Sequence, residues 1–478
     1  MFPHYENLVL EGGGCKFVGY LGALQVLHEN NILNNITKFA GTSIGSLISG
    51  LLALGLNPDE IKKRIYDMDI PGTFKDARFG ALSFLYNFWK EFGWHPASHF
   101  EDWFKDICEE YYDLPELTFG ELYKKTGREL CVVVVSLTRA SEIYCHPKTT
   151  PNFPIYKAIR MSISLPGFFQ AQKAQLFGSS LEYFVDGGII CNFPIHAFDG
   201  WWLSMKDQDS FFKRLHNYSE MSDSPEVMDR FNPRNSKTLG MILYGSTEGE
   251  FRKDYFENLL VKNDCVCTEP RPKTKLAKKF EKQQKLIKEK KTKSQAMTDA
   301  VSDFMRALSE ANIDEQAHEI SLKELEAALK ILKPENGKLL FGEHYTAGSV
   351  MVEMDVDRDY QISFPELMRF AESKSVNMYM TSMDVEKSQI NNVSDFLINV
   401  CSTVIDNGGR IFFKNEDVER TIGINVDYLG TTDFEMTHKD MDYVYNRGRK
   451  AAIAFLKEKR IFKDVRKIQE AESTHTAL

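Results

Sequence analysis

No stretch of the 478-residue chain approaches the roughly eighteen consecutive apolar residues that a helical membrane span requires. The opening residues, MFPHYENLVL, carry neither a basic lead nor a long apolar core, so a cleaved export signal is not expected. The eight cysteines, at 15, 108, 131, 145, 191, 265, 267 and 401, repeat no paired spacing. That pattern suggests neither a zinc cluster nor a disulfide framework, and it favours a reducing compartment. No G-x-x-x-x-G-K-[ST] occurs, and GGGCKFVG departs from the order G-x-G-x-x-G, which disfavours a nucleotide site. No nucleic-acid partner is expected either. These absences point to the cytoplasm or a peripheral membrane surface, with export that leaves no cleavable signal as the other route.

Hydrophobic residues make up 43% of the chain, enough for one large core plus a further module. The formal charge of −9 is unevenly spread, because Arg271 to Lys293 holds ten lysines and one arginine against two glutamates. This local +9 leaves −18 on the remainder, a basic segment in an acidic protein. The first 200 or so residues alternate strand and helix patterns, and LCVVVVSL (130–137) reads as a strand covered on both faces. Such alternation predicts an α/β fold with helices on a largely parallel sheet. Composition shifts near 265 and returns to α/β character near 381. The predicted organisation is an α/β domain over 1–264 and 381–460, interrupted by a module over 265–380, with a tail at 461–478. The aromatic-rich segment 72–104 has no clean period and reads either as packing or as a lid or acyl-chain wall.

Three short motifs carry the chemistry. Gly41-Thr42-Ser43-Ile44-Gly45 lies between a strand pattern and a helical one. At such a turn flanking glycines relieve steric conflict and a serine Oγ stands clear at the helix start, as a nucleophile requires. Gly12-Gly13-Gly14 follows the first strand, and successive N–H groups unscreened by side chains suit an oxyanion. Asp186 ends a strand in YFVDGGIICNFP and is the candidate base for Ser43. A Ser-Asp-His triad is the rival arrangement, with His196 or His438 as the third member.

In this order and spacing GGG-x-[KR], G-T-S-I-G and D-G-G resemble the patatin-like phospholipases. AIRMSISLPGFF (158–169) and NEDVERTIGINVDYLGTTDF (415–434) extend the resemblance, which covers about 5–260 and 385–460. It implies a three-layer αβα fold and a Ser43-Asp186 dyad with Gly12, Gly13 and Gly14 holding the oxyanion. The implied reaction is hydrolysis of fatty-acyl esters, of phospholipase A or lysophospholipase type, on a phospholipid or lysophospholipid substrate. One departure is Phe17 after Lys16, where the family usually has a further glycine. A non-enzymatic calcium-responsive adaptor on an inactive hydrolase fold is the alternative in another class.

In the module, DVDRDYQISFPE matches the calcium loop of an EF-hand. Oxygen ligands would come from Asp355, Asp357, Asp359, the backbone of Gln361, Ser363 and Glu366. Tyr360 replaces the glycine of the sharp turn, a substitution that should weaken affinity. Upstream, 303–332 has a helix-loop-helix outline with Ile313 and Ala317 where ligands are expected, so this hand should pair structurally through Ile320 and Ile362 and bind calcium poorly. The expectation is thus an all-α EF-hand-like insertion, with calcium as regulator or structural ion and not as catalyst. The lysine-rich stretch places Leu276, Phe280 and Ile287 on one helical face, which suits anionic lipid, a target helix or a solvated linker. A protein activator is left open.

Overall fold

The computed structural model describes residues 4–77, 83–176, 178, 180–214, 230–246, 253–311, 319–374 and 393–475. Its contacts divide the chain into two units, 1–277 with 388–478 and the intervening 278–387. The described strands are β1 (Asn7–Leu10), β2 (Lys38–Thr42), β3 (Gly93–His95), β4 (Glu129–Ser136), β5 (Ser141–Cys145), β6 (Gly167–Phe169), β7 (Gln172–Ala174), β8 (Glu182–Asp186), β9 (Thr238–Tyr244), β10 (Glu319–Ser321), β11 (Gln361–Ser363) and β12 (Thr421–Asn425).

In the first unit, the order β12-β9-β1-β2-β4 is parallel throughout, and β5, β7 and β8 join it antiparallel. The sheet is therefore mixed where a largely parallel one was expected. The turn over 137–140 between β4 and β5 is too short for a crossover and can join only antiparallel neighbours. Side chains alternate between two cores: Leu130, Val132 and Val134 face one, Cys131 and Val133 the other. Both faces are covered, which explains the unbroken apolar run of β4.

The helices that matter for the site are α1 (Val18–Glu29), α2 (Ile44–Leu54), α3 (Ser83–Glu91), α4 (Ile155–Ser162), α5 (Gly188–Cys191), α6 (Lys275–Glu310), α7 (Ala347–Met354), α8 (Phe364–Ser373), α9 (Val393–Phe412) and α10 (His438–His475). α1 and α2 pack on the first core, and α10 lies along α1 with Arg449 paired to Glu29 at 2.8 Å. α10 continues as one helix past 461, where a separate tail was expected. Of the aromatic segment, Phe74 is buried against Phe100, Phe169 and Phe434, whereas Tyr86, Trp89 and Phe92 are exposed. The segment is thus half packing and half open surface. The side chains of Phe79 and Phe84 lie outside the described residues.

The second unit has its own core, built from Phe304, Leu325, Val350, Met354, Leu367 and Phe370 among others. Its helices include α7 and α8, and β10 pairs antiparallel with β11 so that Ile320 stands opposite Ile362. A short ribbon therefore joins the two loops, and the unit is not wholly helical. The upstream loop positions Ile313 and Ala317 fall outside the described residues. α6 spans the division between the units; at its first turn Leu276 packs on the first unit's core and Ala277 is buried. Phe280 is also buried, so the apolar face proposed for lipid or a target groove is in large part already covered; the Ile287 side chain is outside the described residues.

Candidate active site

β2 ends at Thr42, opposite Val133 of β4, and β8 ends at Asp186, opposite Val134. β5 occupies the other edge of β4 over Val132–Ser136, so β2 and β8 share one edge and run toward each other. Their C-terminal ends meet head-on, which places Ser43, the residue after Thr42, beside Asp186. The Ser43 Oγ donates to Asp186 Oδ2 at 2.7 Å, across 143 residues of sequence.

Ser43 occupies the N-cap position of α2 with φ 51° and ψ −131°, a conformation that is uncommon for a residue with a side chain. A serine at an N-cap ordinarily bonds back to the helix, but this one makes no such bond and its hydroxyl is left for Asp186. The backbone is held in this turn from below: the Ser43 N–H donates to Ser162 Oγ at 2.8 Å, and the Ser162 hydroxyl donates to the Val133 carbonyl at 2.6 Å. At Gly45 an added Cβ would come within 2.5 Å of the Leu10 and Glu11 carbonyls, so the turn sits against β1 only because no side chain intervenes.

Asp186 is 3% exposed. Its Oδ1 accepts the Gly188 N–H at 2.7 Å, and its own N–H donates to the Ser164 carbonyl at 3.0 Å. Burial pushes the carboxyl up to about 7, against the opposing pull of the bonds from Ser43 and Gly188. A carboxylate with that value accepts a proton near neutrality far more readily than an exposed aspartate.

The glycine loop divides in a way the sequence did not foretell. The Gly12 N–H donates to the Asn192 carbonyl at 3.0 Å, so Gly12 is not a free donor and drops out of the expected trio. The N–H groups of Gly13 and Gly14 meet no acceptor among the described residues. Gly14 has φ +52°, and a Cβ there would lie 2.1 Å from the Thr431 carbonyl, which also accepts the Cys15 N–H at 2.9 Å. Asn192 completes the clamp by donating its amide to Glu11 Oε1 and to the Gly12 carbonyl, at 3.2 and 3.1 Å. Ser162, Asn192 and Thr431 are positioning residues that sequence reasoning missed. All three lie inside segments singled out for their motifs, yet nothing in their spacing reports which backbone group they hold.

The rival histidines are engaged elsewhere. His196 Nε2 is 2.7 Å from the Tyr144 hydroxyl and its ring stacks on Phe412; burial pushes the imidazole down to about 3. His438 stacks on Tyr66 and bonds its carbonyl at 3.0 Å. Neither ring is bonded to Ser43 or Asp186.

Residues 8–199 match the family model described as patatin-like phospholipase. Over this stretch the chain is similar to that family. The chain is 34% identical over 195 residues to an uncharacterized protein of Acanthamoeba polyphaga mimivirus, covering 41% of this chain and 61% of that protein. It is 32% identical over 200 residues to a protein of Invertebrate iridescent virus 6 named "Probable lipid hydrolase 463L", covering 40% and 62%. The chain thus spans about three fifths of the length of these relatives. Among solved structures, VipD from Legionella pneumophila aligns over 95% of this chain and 67% of its own, at 15% identity and a TM-score of 0.41, a likeness too slight to carry an argument.

In the second unit the carboxylate oxygens of Asp355, Asp357 and Asp359 lie within 4.8 Å of one another. Asp355 Oδ1 accepts the N–H groups of Arg358 and Asp359 at 2.6 and 3.2 Å, and Glu366 Oε1 accepts that of Val356 at 2.6 Å. Tyr360 has φ 67°, the left-handed turn that glycine would adopt without strain. Asp357 is held above the usual carboxylate range by lost hydration and then by Asp359, Glu366 and Asp355 nearby. With Ser363 and the Gln361 backbone this is a set of hard oxygens, the donors that calcium takes.

Proposed function

We propose that the protein is a lipid acyl hydrolase of phospholipase A or lysophospholipase type, working through a Ser43–Asp186 dyad at a membrane surface. The observation that carries this reading is the 2.7 Å bond between Ser43 Oγ and Asp186 Oδ2, beside two N–H groups at Gly13 and Gly14 that have no partner among the described residues. The name of the iridovirus relative supports a lipid ester as substrate. Ser43 Oγ attacks the ester carbonyl while its proton passes to Asp186, and the oxyanion is met by Gly13 and Gly14. The leaving alcohol takes the proton back from Asp186. Water then attacks the acyl-serine, gives its proton to Asp186, and releases the fatty acid as Ser43 recovers its hydrogen.

No step of this cycle calls on a metal. Calcium is assigned to the second unit as a regulatory or structural ion, held by Asp355, Asp357, Asp359, Gln361, Ser363 and Glu366. Fatty-acid release from mixed phospholipid vesicles, with calcium and with chelator and against Ser43→Ala, tests both parts. Ser43-dependent release that rises with calcium is expected. Absence of release together with absence of fluorophosphonate labelling at Ser43 would reject the enzyme in favour of an adaptor.

A further inference from the structure

α9 leaves an apolar stripe in solvent. Phe396 is 52% exposed, Val400 45%, Val404 43% and Ile411 66%. At roughly 100° per residue these four fall within about a quarter of the helix circumference. Single exposed apolar residues need no explanation, but a run of four on one stripe does.

The adjoining side of the helix faces the catalytic machinery. Cys401 Sγ lies 4.0 Å from the Pro166 carbonyl, just ahead of β6. At Gly408 an added Cβ would come within 2.7 Å of the Ile190 carbonyl in α5, the turn that follows Asp186. α9 therefore rests on Ile190, four residues after Asp186, and beside Pro166, two residues after the Ser164 carbonyl that accepts the Asp186 N–H, and its apolar stripe lies on the adjoining side of the helix.

On the other side of β6, Gly93 of β3 pairs with Gly167, and the Phe92 ring meets Tyr183 of β8 at 5.6 Å. Trp89 and Phe92 of that segment are likewise exposed, at 81% and 53%. Between Phe396 and Ile405 the chain has no charged residue. Asn407 falls within the stripe and Thr403 at its edge, and both bond back to the helix: the Thr403 hydroxyl donates to the Asn399 carbonyl at 2.8 Å, and the Asn407 amide donates to the Thr403 carbonyl at 2.7 Å. Internal satisfaction lowers the cost of moving such side chains out of water.

We propose that α9 is the face on which the catalytic unit seats on a phospholipid bilayer, with Phe396, Val400, Val404 and Ile411 entering the acyl layer at the rim of the Ser43–Asp186 site. The inference rests on the lipid-ester reading above. It adds where the membrane is met, and it explains why a helix packed so near the base keeps four large apolar side chains exposed on its outer side.

The test is made in the Ser43→Ala background, so that binding is read without turnover. Flotation with phosphatidylcholine vesicles compares that protein with two further variants of it, F396S/V400S/V404S/I411S and F396L/V400L/V404L/I411L. The serine set is expected to lower vesicle partition about tenfold or more, and the leucine set to retain it. Should the serine set melt early, Phe396→Ser and Ile411→Ser carry the comparison singly. Unchanged partition in the serine set overturns the proposal, as does equal loss in both sets, which would mean that apolarity is not what matters. A parent dimer that the serine set dissociates, with partition unaltered, would assign the stripe to a second copy of the chain instead. Failure of Ser43-dependent release would strike only the catalytic reading, since partition is measured independently of it.

Discussion

Two groups of carboxylates in this chain face opposite physical situations. Asp186 stands alone, 3% exposed, with a serine hydroxyl and a backbone N–H as its only two side-chain partners among the described residues. Asp355, Asp357 and Asp359 stand together in a mostly exposed loop that they fold around themselves by accepting backbone N–H groups. Burial without a counter-charge makes one carboxylate hungry for a proton. Crowding of like charges in a wet loop makes three carboxylates receptive to a cation. The same side chain is thus suited to base chemistry in one place and to ion capture in the other, and the surroundings decide which.

Removing the chemistry at the buried carboxylate should produce the largest effects. Ser43→Ala is expected to abolish fatty-acid release, and Asp186→Asn to lower kcat by about 10²–10⁴-fold, with circular dichroism showing both folded. Undiminished turnover in Asp186→Asn would remove Asp186 from the mechanism. Gly14→Ala comes next: the Cβ would strike the Thr431 carbonyl and move the N–H that the proposed mechanism assigns to the oxyanion, so kcat should fall about 10²-fold with a lower Tm.

The pH dependence separates the two groups further. With Asp186 pushed up to about 7, turnover should rise with pH through that value as the base ionises. Stability should move the other way. The folded-state value lies above the ordinary 3.8, so between about 4 and 7 the folded protein holds a proton that the unfolded chain has given up. The stability from this group is full below its unfolded value and lost as pH rises through about 7. Asp186→Asn should therefore gain Tm relative to the parent at pH 8 and little at pH 4; a constant difference would mean that the carboxyl is not raised.

The exposed group should give the smaller effects. Asp355→Ala/Glu366→Gln is expected to erase the heat of calcium binding in calorimetry while leaving calcium-free hydrolysis unchanged. Smallest of all, Tyr360→Gly relieves a left-handed residue at φ 67°, and it should tighten calcium by up to about tenfold, on the order of 1 kcal/mol. No gain there would show that the turn is not strained.

Much of this was legible in the sequence because its signals are local. The β-branched run of β4, the helical spacing of α2 and the loop 355–366 each declare themselves within a few residues. Gly12 shows where that legibility stops: its N–H is taken by the carbonyl of Asn192, a partner 180 residues away, so among the described residues three glycines in a row yield two unoccupied donors. The helix α9 shows the same limit in another form. FLINVCSTVI is apolar enough to be read as core, and only its packing against α5 and β6 reveals which side remains in water.

By itself, then, the sequence determined the menu: a strained serine turn, a glycine loop, an aspartate at a strand end and an acidic loop, since each depends on the steric and hydrogen-bonding preferences of neighbouring residues. The tertiary structure decided which of these meet. Ser43 and Asp186 touch because β2 and β8 are hydrogen-bonded in succession along one edge of β4 and end where they meet, a register set by long-range strand pairing.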